Sequence, residues 1–297
     1  MQARILIISP MRNEAAHVER VARSVAAQTQ PPAEWVVVDD GSTDETAAIL
    51  RALEREIPFL HVHRRASDTG PVADRLAVAA APRAFNAGLA AATVDDWTHV
   101  VKLDGDIELP ADYFEQLLER FAEDPSLGMA GGNLIEPRGG RMARIPIPEH
   151  HVHGAVKCYT RACFDAIGGI QTRLGWDTID ETYARMRGYR TRNFKDIVAV
   201  HHRPHGSADG TLRGRARHGE CAYIAHFGVV WVALRSLKIA RSRPVGLSGV
   251  AFFYGFVRSA ARRVERVPDP EFRRFARREL RRRMRRAVVG ALRVRTA

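Results

Sequence analysis

The chain has 297 residues, 45% of them hydrophobic, and a net charge of +12. That is enough apolar material for one substantial core plus an appendage. Three cysteines, Cys158, Cys163 and Cys221, with no CxxC pair exclude a disulfide framework and fit a reducing, cytoplasmic compartment. No run approaches the roughly 18–20 apolar residues that cross a bilayer. The short run Ile5-Leu6-Ile7-Ile8 has no cleavage pattern after it and reads as a strand, not a signal peptide.

Charge is divided unevenly. From His205 onward 22 Lys and Arg stand against 6 Asp and Glu, a surplus of +16, so the first 204 residues carry −4. A nearly neutral body followed by a basic tail suggests two jobs, catalysis in one and contact with something anionic in the other.

In chain order, residues 4–9 form a buried-strand run, and 14–28 show helical spacing with Val18, Val21, Ala22 and Val25 on one side, ended by Pro31-Pro32. Residues 35–38 are a second buried strand that ends in Asp39-Asp40-Gly41. Ser42 and Glu45 have the spacing of a capping box opening the next helix. Residues 59–63 make a third strand, 84–92 a small-residue helix, and 97–103 a fourth strand ending in Asp104-Gly105-Asp106, with Pro110 opening another helix. Residues 131–148, rich in Gly, Pro and Arg, read as a loop. Residues 160–167 and 178–187 read as helices and 191–201 as a strand. The basic tail is mostly helical from Thr211 and is divided into three pieces by Pro244 and by Pro268 and Pro270.

This alternation predicts an α/β body with a mostly parallel sheet flanked by helices, whose ligands bind beyond the carboxyl ends of the strands. Asp39-Asp40 and Asp104/Asp106 both sit at such ends, and if their strands are neighbours the two acidic clusters face one crevice. Two carboxylates around a glycine can converge on Mg²⁺ or Mn²⁺, which take oxygen ligands and bridge to phosphate; Asp and Gly are also ordinary turn residues. Asp40 can accept hydrogen bonds from a nucleobase or ribose, with acids near a helix start as the plainer account.

Together these segments carry a resemblance. Ile7-Ile8-Ser9-Pro10-Met11-Arg12-Asn13-Glu14, Val36-Val37-Val38-Asp39-Asp40-Gly41-Ser42-Thr43-Asp44 and Val101-Lys102-Leu103-Asp104-Gly105-Asp106 resemble, in order and spacing, the successive signatures of family-2 glycosyltransferases with the GT-A fold. Gly168-Gly169, Gly175-Trp176-Asp177 and Arg185-Met186-Arg187-Gly188-Tyr189 resemble that family's acceptor-side segment, so the likeness covers roughly residues 3–203.

The resemblance implies a metal-dependent, inverting, hexosyltransferase-type enzyme. It would move sugar from a nucleotide-diphosphate-sugar to an acceptor hydroxyl in polysaccharide, glycolipid or cell-envelope glycan synthesis. Residues 1–204 would be the catalytic domain, with a nucleotide part to about 107 and an acceptor part from about 108, and 205–297 a helical extension. Asp40, with Asp39 beside it, would hold the base; Pro10 and Arg12 would line the base pocket, and Glu14 would either join it or cap a helix. Asp104 would serve the ribose or the metal, and Asp106 the metal. His201 or His202 would add a metal ligand or diphosphate contact, with His201 preferred, and Arg75, ahead of Arg83, would clamp the diphosphate. Asp177 falls on the acid of the family's Glu-Asp pair, with Trp176 where Glu is usual; Asp180-Glu181 competes for the role of base.

The histidines of 149–153 lack the spacing of a closed zinc site and are read as part of a loop over the acceptor. Apolar segments 221–234 and 245–257 flanked by Arg suggest an anionic membrane surface as partner, peripheral on its inner face, against a subdomain with a solvated basic face. No nucleic-acid reader motif accompanies the basic patch. The competing functions are a nucleotidyltransferase that makes nucleotide-sugars, which would show a Gly-rich phosphate loop where Ser9-Pro10-Met11-Arg12-Asn13-Glu14 stands, and an inert binding module acting through the tail.

Overall fold

The computed structural model describes residues 3–66, 74, 76, 78–203 and 210–295, with side chains as far as residue 285. The chain divides into two compact units, residues 1–205 and 206–297.

The first unit is a mixed α/β layer structure. Its opening half is parallel: β1 (Ile5–Met11) lies between β2 (Glu34–Asp40) and β4 (His99–Leu103), and β3 (Leu60–Arg65) flanks β2. β1 and β2 are apolar and buried almost throughout because helices cover both sheet faces. On one face α1 (Val18–Ala26) contributes Val18, Val21, Ala22 and Val25, and α2 (Thr46–Glu56) contributes Leu50 and Leu53. α3 (Ala80–Ala91) packs closely on β1 and β2 through Gly88. A Cβ there would lie 2.6 Å from Val38 Cγ2 and 2.7 Å from Ile8 Cγ2.

After β5 (Ile107–Glu108) and α4 (Tyr113–Glu123) the sheet changes character. β6 (Leu127–Arg138) pairs antiparallel with β7 (Arg141–Arg144) and β8 (Val156–Thr160), and parallel with β9 (Arg190–His201). β8 joins β4 antiparallel, giving the order β3-β2-β1-β4-β8-β6-β9-β5. The α/β expectation holds, but the parallel run stops at β4. α5 (Arg161–Ile167), capped by Thr160 Oγ1 accepting from Cys163 N, and α6 (Trp176–Met186) lie between β8 and β9.

Two local expectations fail for physical reasons. Residues 131–138, read as loop, belong to a twelve-residue strand. Gly131 and Gly132 sit in it because neighbouring strands approach too closely for side chains: a Cβ would come within 2.7 Å of Val156 O at Gly131 and of Ile197 O at Gly132. The capping box at Ser42 and Glu45 does not form either. α2 begins at Thr46, and Asp44 Oδ1 accepts from Thr46 N. Ser42 Oγ is taken instead by Asn13 N from the β1–α1 turn, at 3.0 Å.

The second unit is helical: α7 (Thr211–Ile224), α8 (Val229–Ile239), α9 (Leu247–Ala261) and α10 (Pro270–Arg295). Its first piece, expected to be continuous up to Pro244, breaks at His226, which has φ +61°, before α8 starts at Val229 after its cap residue Gly228. Ala222, Tyr223, Val232, Phe252 and Phe256 form its core. Glycines bring backbones together: a Cβ would lie 1.8 Å from Ala216 O at Gly255, 2.0 Å from Phe252 O at Gly219, and 2.4 Å from Ser236 O at Gly249. Among the described residues no helix is long and apolar enough to cross a membrane.

Candidate active site

The two acidic strand ends are not neighbours, because β1 runs between β2 and β4. What links them is the β1–α1 turn. Asn13, at φ +56°, and its neighbours are laced into the β2–α2 turn: Asn13 N donates to Ser42 Oγ, Thr43 N to Asn13 Oδ1 at 2.9 Å, and Glu14 N to Thr46 Oγ1 at 2.7 Å. On the other side Gly105 packs against this turn, since a Cβ there would be 3.0 Å from both Glu14 Cγ and Met11 Cγ. Pro10 and Met11 stand level with Val38 and Asp39 across the β1–β2 pairing.

At the β2 end Asp39 and Asp40 are buried. Asp39 Oδ1 accepts from Ser42 N at 2.9 Å, which makes it a turn-former as well as a site candidate. Asp40 Oδ1 lies 3.3 Å from Arg65 Nε on β3, and Arg12 Nη1 reaches the Asp40 carbonyl at 3.5 Å. Arg83 is turned onto the chain, donating from Nε to Val78 O. Arg75 lies outside the described residues.

At the β4 end the acids are gathered with three cations. Asp104 is ion-paired to Lys102, which also donates to Gly154 O at 2.7 Å. His201 Nε2 lies 3.4 Å from Asp106 Oδ2, and its Nδ1 lies 3.7 Å from Glu136 Oε2. Arg203 Nη2 donates to Glu14 Oε2 at 2.6 Å, with Nε 3.8 Å from Asp106. The side chain of Glu14 is therefore committed to Arg203 and does not cap α1; its carbonyl accepts from His17 N and Val18 N. His202 turns the other way, to Glu108 Oε2 at 2.7 Å and Arg20.

The electrostatics follow from this crowding. Burial pushes Glu14 up to about 7, with Arg203 pulling it down and the Asp106 and Asp104 charges adding to the rise. Burial also acts to raise Asp106, but its hydrogen bond to His201 and the charges of His201, Arg203 and Lys102 outweigh that and hold it low. Burial acts to lower His201, and the bond to Asp106 with the charges of Asp106, Asp104 and Glu136 raises it overall.

Among the described residues no three His, Cys, Asp or Glu side chains are grouped to hold a metal ion. The donor chemistry nevertheless suits one. Asp104 and Asp106 supply hard oxygen, His201 supplies nitrogen, and the negative charge they gather is balanced by Lys102 and Arg203, where a divalent cation would serve the same end.

The first turn of α6 stands beside this cluster. Gly154 brings it there: a Cβ at Gly154 would meet Trp176 at 3.3 Å and Asp177 Cβ at 3.4 Å, while its carbonyl holds Lys102. The Trp176 ring has Lys102 Nζ 5.5 Å and Lys157 Nζ 5.4 Å from its centroid. The helix starts at Trp176, two residues earlier than expected, so Asp177 is in its first turn and half-buried. Asp180 and Glu181 are buried and already committed. Lys157 Nζ lies 3.2 Å from Asp180 Oδ1 and 3.3 Å from Glu181 Oε1. Tyr159 Oη donates to Asp180 at 2.5 Å, and His151 and Arg185 meet Glu181 at 2.9 and 3.6 Å. Of the 149–153 histidines, His151 thus ties the loop onto α6, while His153 is buried beside Asn133.

The sequence profile of Glycosyl transferase family 2 matches residues 6–141, which contain both acidic strand ends and the β1–α1 turn. Over this segment, just under half of its length, the chain is similar to glycosyl transferase family 2. It is 26% identical over 202 residues to poly-β-1,6-N-acetyl-D-glucosamine synthase of Staphylococcus aureus, covering 61% of this chain and 45% of that protein. The chain thus spans about half the length of the curated relatives it matches. Among solved structures it is similar to a mannosyltransferase of Pyrobaculum calidifontis in complex with GDP-Man and Mn²⁺, at TM-score 0.56 and 20% identity over 98% of this chain and 81% of that one. S. aureus TarS 1–349 in complex with UDP-GlcNAc is similar at TM-score 0.54 and 16% identity, over 87% and 73%. These two share the GT-A fold with the chain.

Lys102, Lys157 and Arg203 are among the charged residues of this site that were not singled out from sequence. Lys102 and Lys157 stand in strands whose other residues are mostly apolar, and a lone lysine in such a run is the signal that an acid waits across the fold. Arg203 gave no such signal.

Proposed function

We propose that this chain is an inverting glycosyltransferase that uses a divalent metal, takes a nucleotide-diphosphate-sugar as donor and serves cell-envelope glycan synthesis. The observation that carries the reading is the meeting of two carboxylate groups of different kind. Asp104 and Asp106 at the end of β4 are bound up with cations, and Asp177 stands a glycine away at the start of α6 with its side chain half-buried and open to a reactant.

In this reading Asp40 and the backbone of Pro10 to Arg12 receive the nucleoside. Asp104, Asp106 and His201 would hold Mn²⁺ or Mg²⁺, which would neutralise charge on the departing diphosphate. Asp177 takes the proton from the acceptor hydroxyl as the new C–O bond forms, on the face opposite the leaving group, so a single displacement inverts the sugar carbon. Asp180 and Glu181 do not serve as base: Lys157, Tyr159, His151 and Arg185 hold them inside the protein. The similar structures, one in complex with GDP-Man and Mn²⁺ and another with UDP-GlcNAc, support this donor class, and the synthase relative supports a glycan acceptor. A glycan or lipid-linked acceptor and a peripheral place on an anionic membrane, through residues 205–297, belong to the same proposal.

The test is a donor screen by thermal shift with Mn²⁺, followed by Asp177→Asn. A bound donor raises the melting temperature by mass action. Asp177→Asn is expected to keep that shift and to lose transfer by about 10²–10⁴-fold. Turnover near wild-type in the variant would take the base role from Asp177.

A further inference from the structure

The second unit carries an apolar face that its own core does not use. In α8, Val230, Leu234 and Leu237 recur at helical spacing, and in α9, Val250 and Tyr254 do the same; with Val245 in the connecting turn they are all more than half exposed, up to 71% for Val245. The seam between these helices is elsewhere, where Gly249 meets Ser236 O and Val232 and Phe252 are buried. The two helices therefore turn a second, unsatisfied face outward, larger than scattered surface hydrophobics explain.

The charge around that face selects what covers it. From Cys221 to Val264 there is no Asp or Glu, against seven Lys and Arg. Lys238, Arg241, Arg243, Arg258 and Arg262 are exposed beside the apolar residues. The Arg235 guanidinium lies over the Trp231 ring at 5.0 Å and over the Phe252 ring at 6.0 Å. A second copy would bring the same cations against each other with no acid to meet them. An anionic bilayer surface supplies both halves at once, acyl chains for the face and phosphates for the rim. α9, at 15 residues, is about 22 Å long, short of the ~30 Å hydrocarbon layer, so it lies in the interface and does not cross it.

We propose that the outer face of α8 and α9, and not the arginine-dense α10, is the surface that enters an anionic membrane. This rests on the peripheral-membrane part of the function proposed above and names the face responsible. α10 adds charge, but Phe272, Ala276 and Leu280 are buried and Phe275 and Met284 half-buried, so none of these five is as open as the outer residues of α8 and α9.

The test is flotation of the full chain with vesicles of phosphatidylcholine alone and with 30% (about one lipid in three) phosphatidylserine. The wild-type chain is expected to float with the anionic vesicles. Leu237→Ser with Val250→Ser and Tyr254→Ser is expected to lower the bound fraction at least about tenfold with an unchanged melting curve, since all three side chains are exposed. Arg274→Gln with Arg278→Gln and Arg282→Gln, on exposed positions of α10, is expected to lower it only about two- to threefold. If the triple serine variant floats like wild type, or the α10 variant loses as much as it does, the face is wrong. If the wild-type chain stays soluble with every vesicle, the membrane reading itself falls, and a dimer that the serine variant disperses would assign the face to self-association. Donor-induced thermal shift on the same samples reports the catalytic unit separately.

Discussion

Lys157→Met tests why Asp177, and not its acidic neighbours, is open to chemistry. Lys157 is fully buried, and its ammonium group is shared by Asp180, Glu181 and the Asp177 carbonyl, the last at 2.9 Å. Methionine keeps the volume and removes the charge. Breaking a buried pair by removing one partner costs about 3–5 kcal/mol. The low end applies here, because Asp180 keeps Tyr159 and Glu181 keeps His151 and Arg185. At roughly 2–4 °C per kcal/mol for a unit of this size, the melting temperature should fall by about 6–12 °C.

The loss should also depend on pH. Burial pushes Asp180 up to about 7; Lys157 acts against that rise, while the Glu181 and Asp177 charges add to it. A carboxyl that holds its proton more tightly folded than unfolded weakens the fold as pH rises from its unfolded value, near 4, through its folded one. Without Lys157 the folded value moves higher still, so the variant's deficit grows above pH 7 by up to about 1.4 kcal/mol per unit and shrinks in acid. Thermal melts of both proteins at pH 6 and pH 8.5 measure this. A fall of less than about 2 °C, or an equal deficit at the two pH values, would refute the shared-cation account.

Asp106→Asn should abolish most of the manganese-dependent part of donor binding, read by Mn²⁺ titration in calorimetry; unchanged affinity would remove Asp106 from the metal site. Gly88→Ala should cost about 1–3 kcal/mol despite alanine's better helix propensity, because its methyl would enter the space of Val38 and Ile8; a stabilised variant in denaturant melts would contradict that packing. Gly255→Ala should cost more, since its methyl meets the Ala216 carbonyl, which has no rotamer to move to; hydrogen exchange in α7 and α9 should quicken while β1 and β2 keep their protection.

The half of the fold that was legible in the sequence owes it to burial. β1, β2 and β4 are covered on both faces, so each appears as an apolar run, and the acids that follow mark where each strand leaves the sheet. β6 was illegible because its glycines answer to the backbones of β8 and β9, which lie 25 and 65 residues further on and leave no local trace. Ser42 was misread for a similar reason: its spacing to Glu45 is that of a cap, but Asn13 from the preceding unit claims it. At the site, residue types and order put forward Asp40, Asp104, Asp106 and Asp177 as candidates, while which of His201 and His202 lies beside Asp106 needed the register of β9 against β5. Lys102 and Lys157 became meaningful only with their acids in view.

The lacing of Asn13 and Glu14 into Ser42, Thr43 and Thr46 has a consequence for kinetics. Both turns that would border the nucleoside are held by each other before any ligand arrives, through bonds of 2.7–3.0 Å. A ligand entering there meets walls that are already standing and forfeits little freedom in the protein to be held. Encounter rates at this side should follow diffusion and charge, and slow, ligand-driven ordering should be sought at the other end of the site, in the segments around Gly154 and Gly175 where the second reactant would enter.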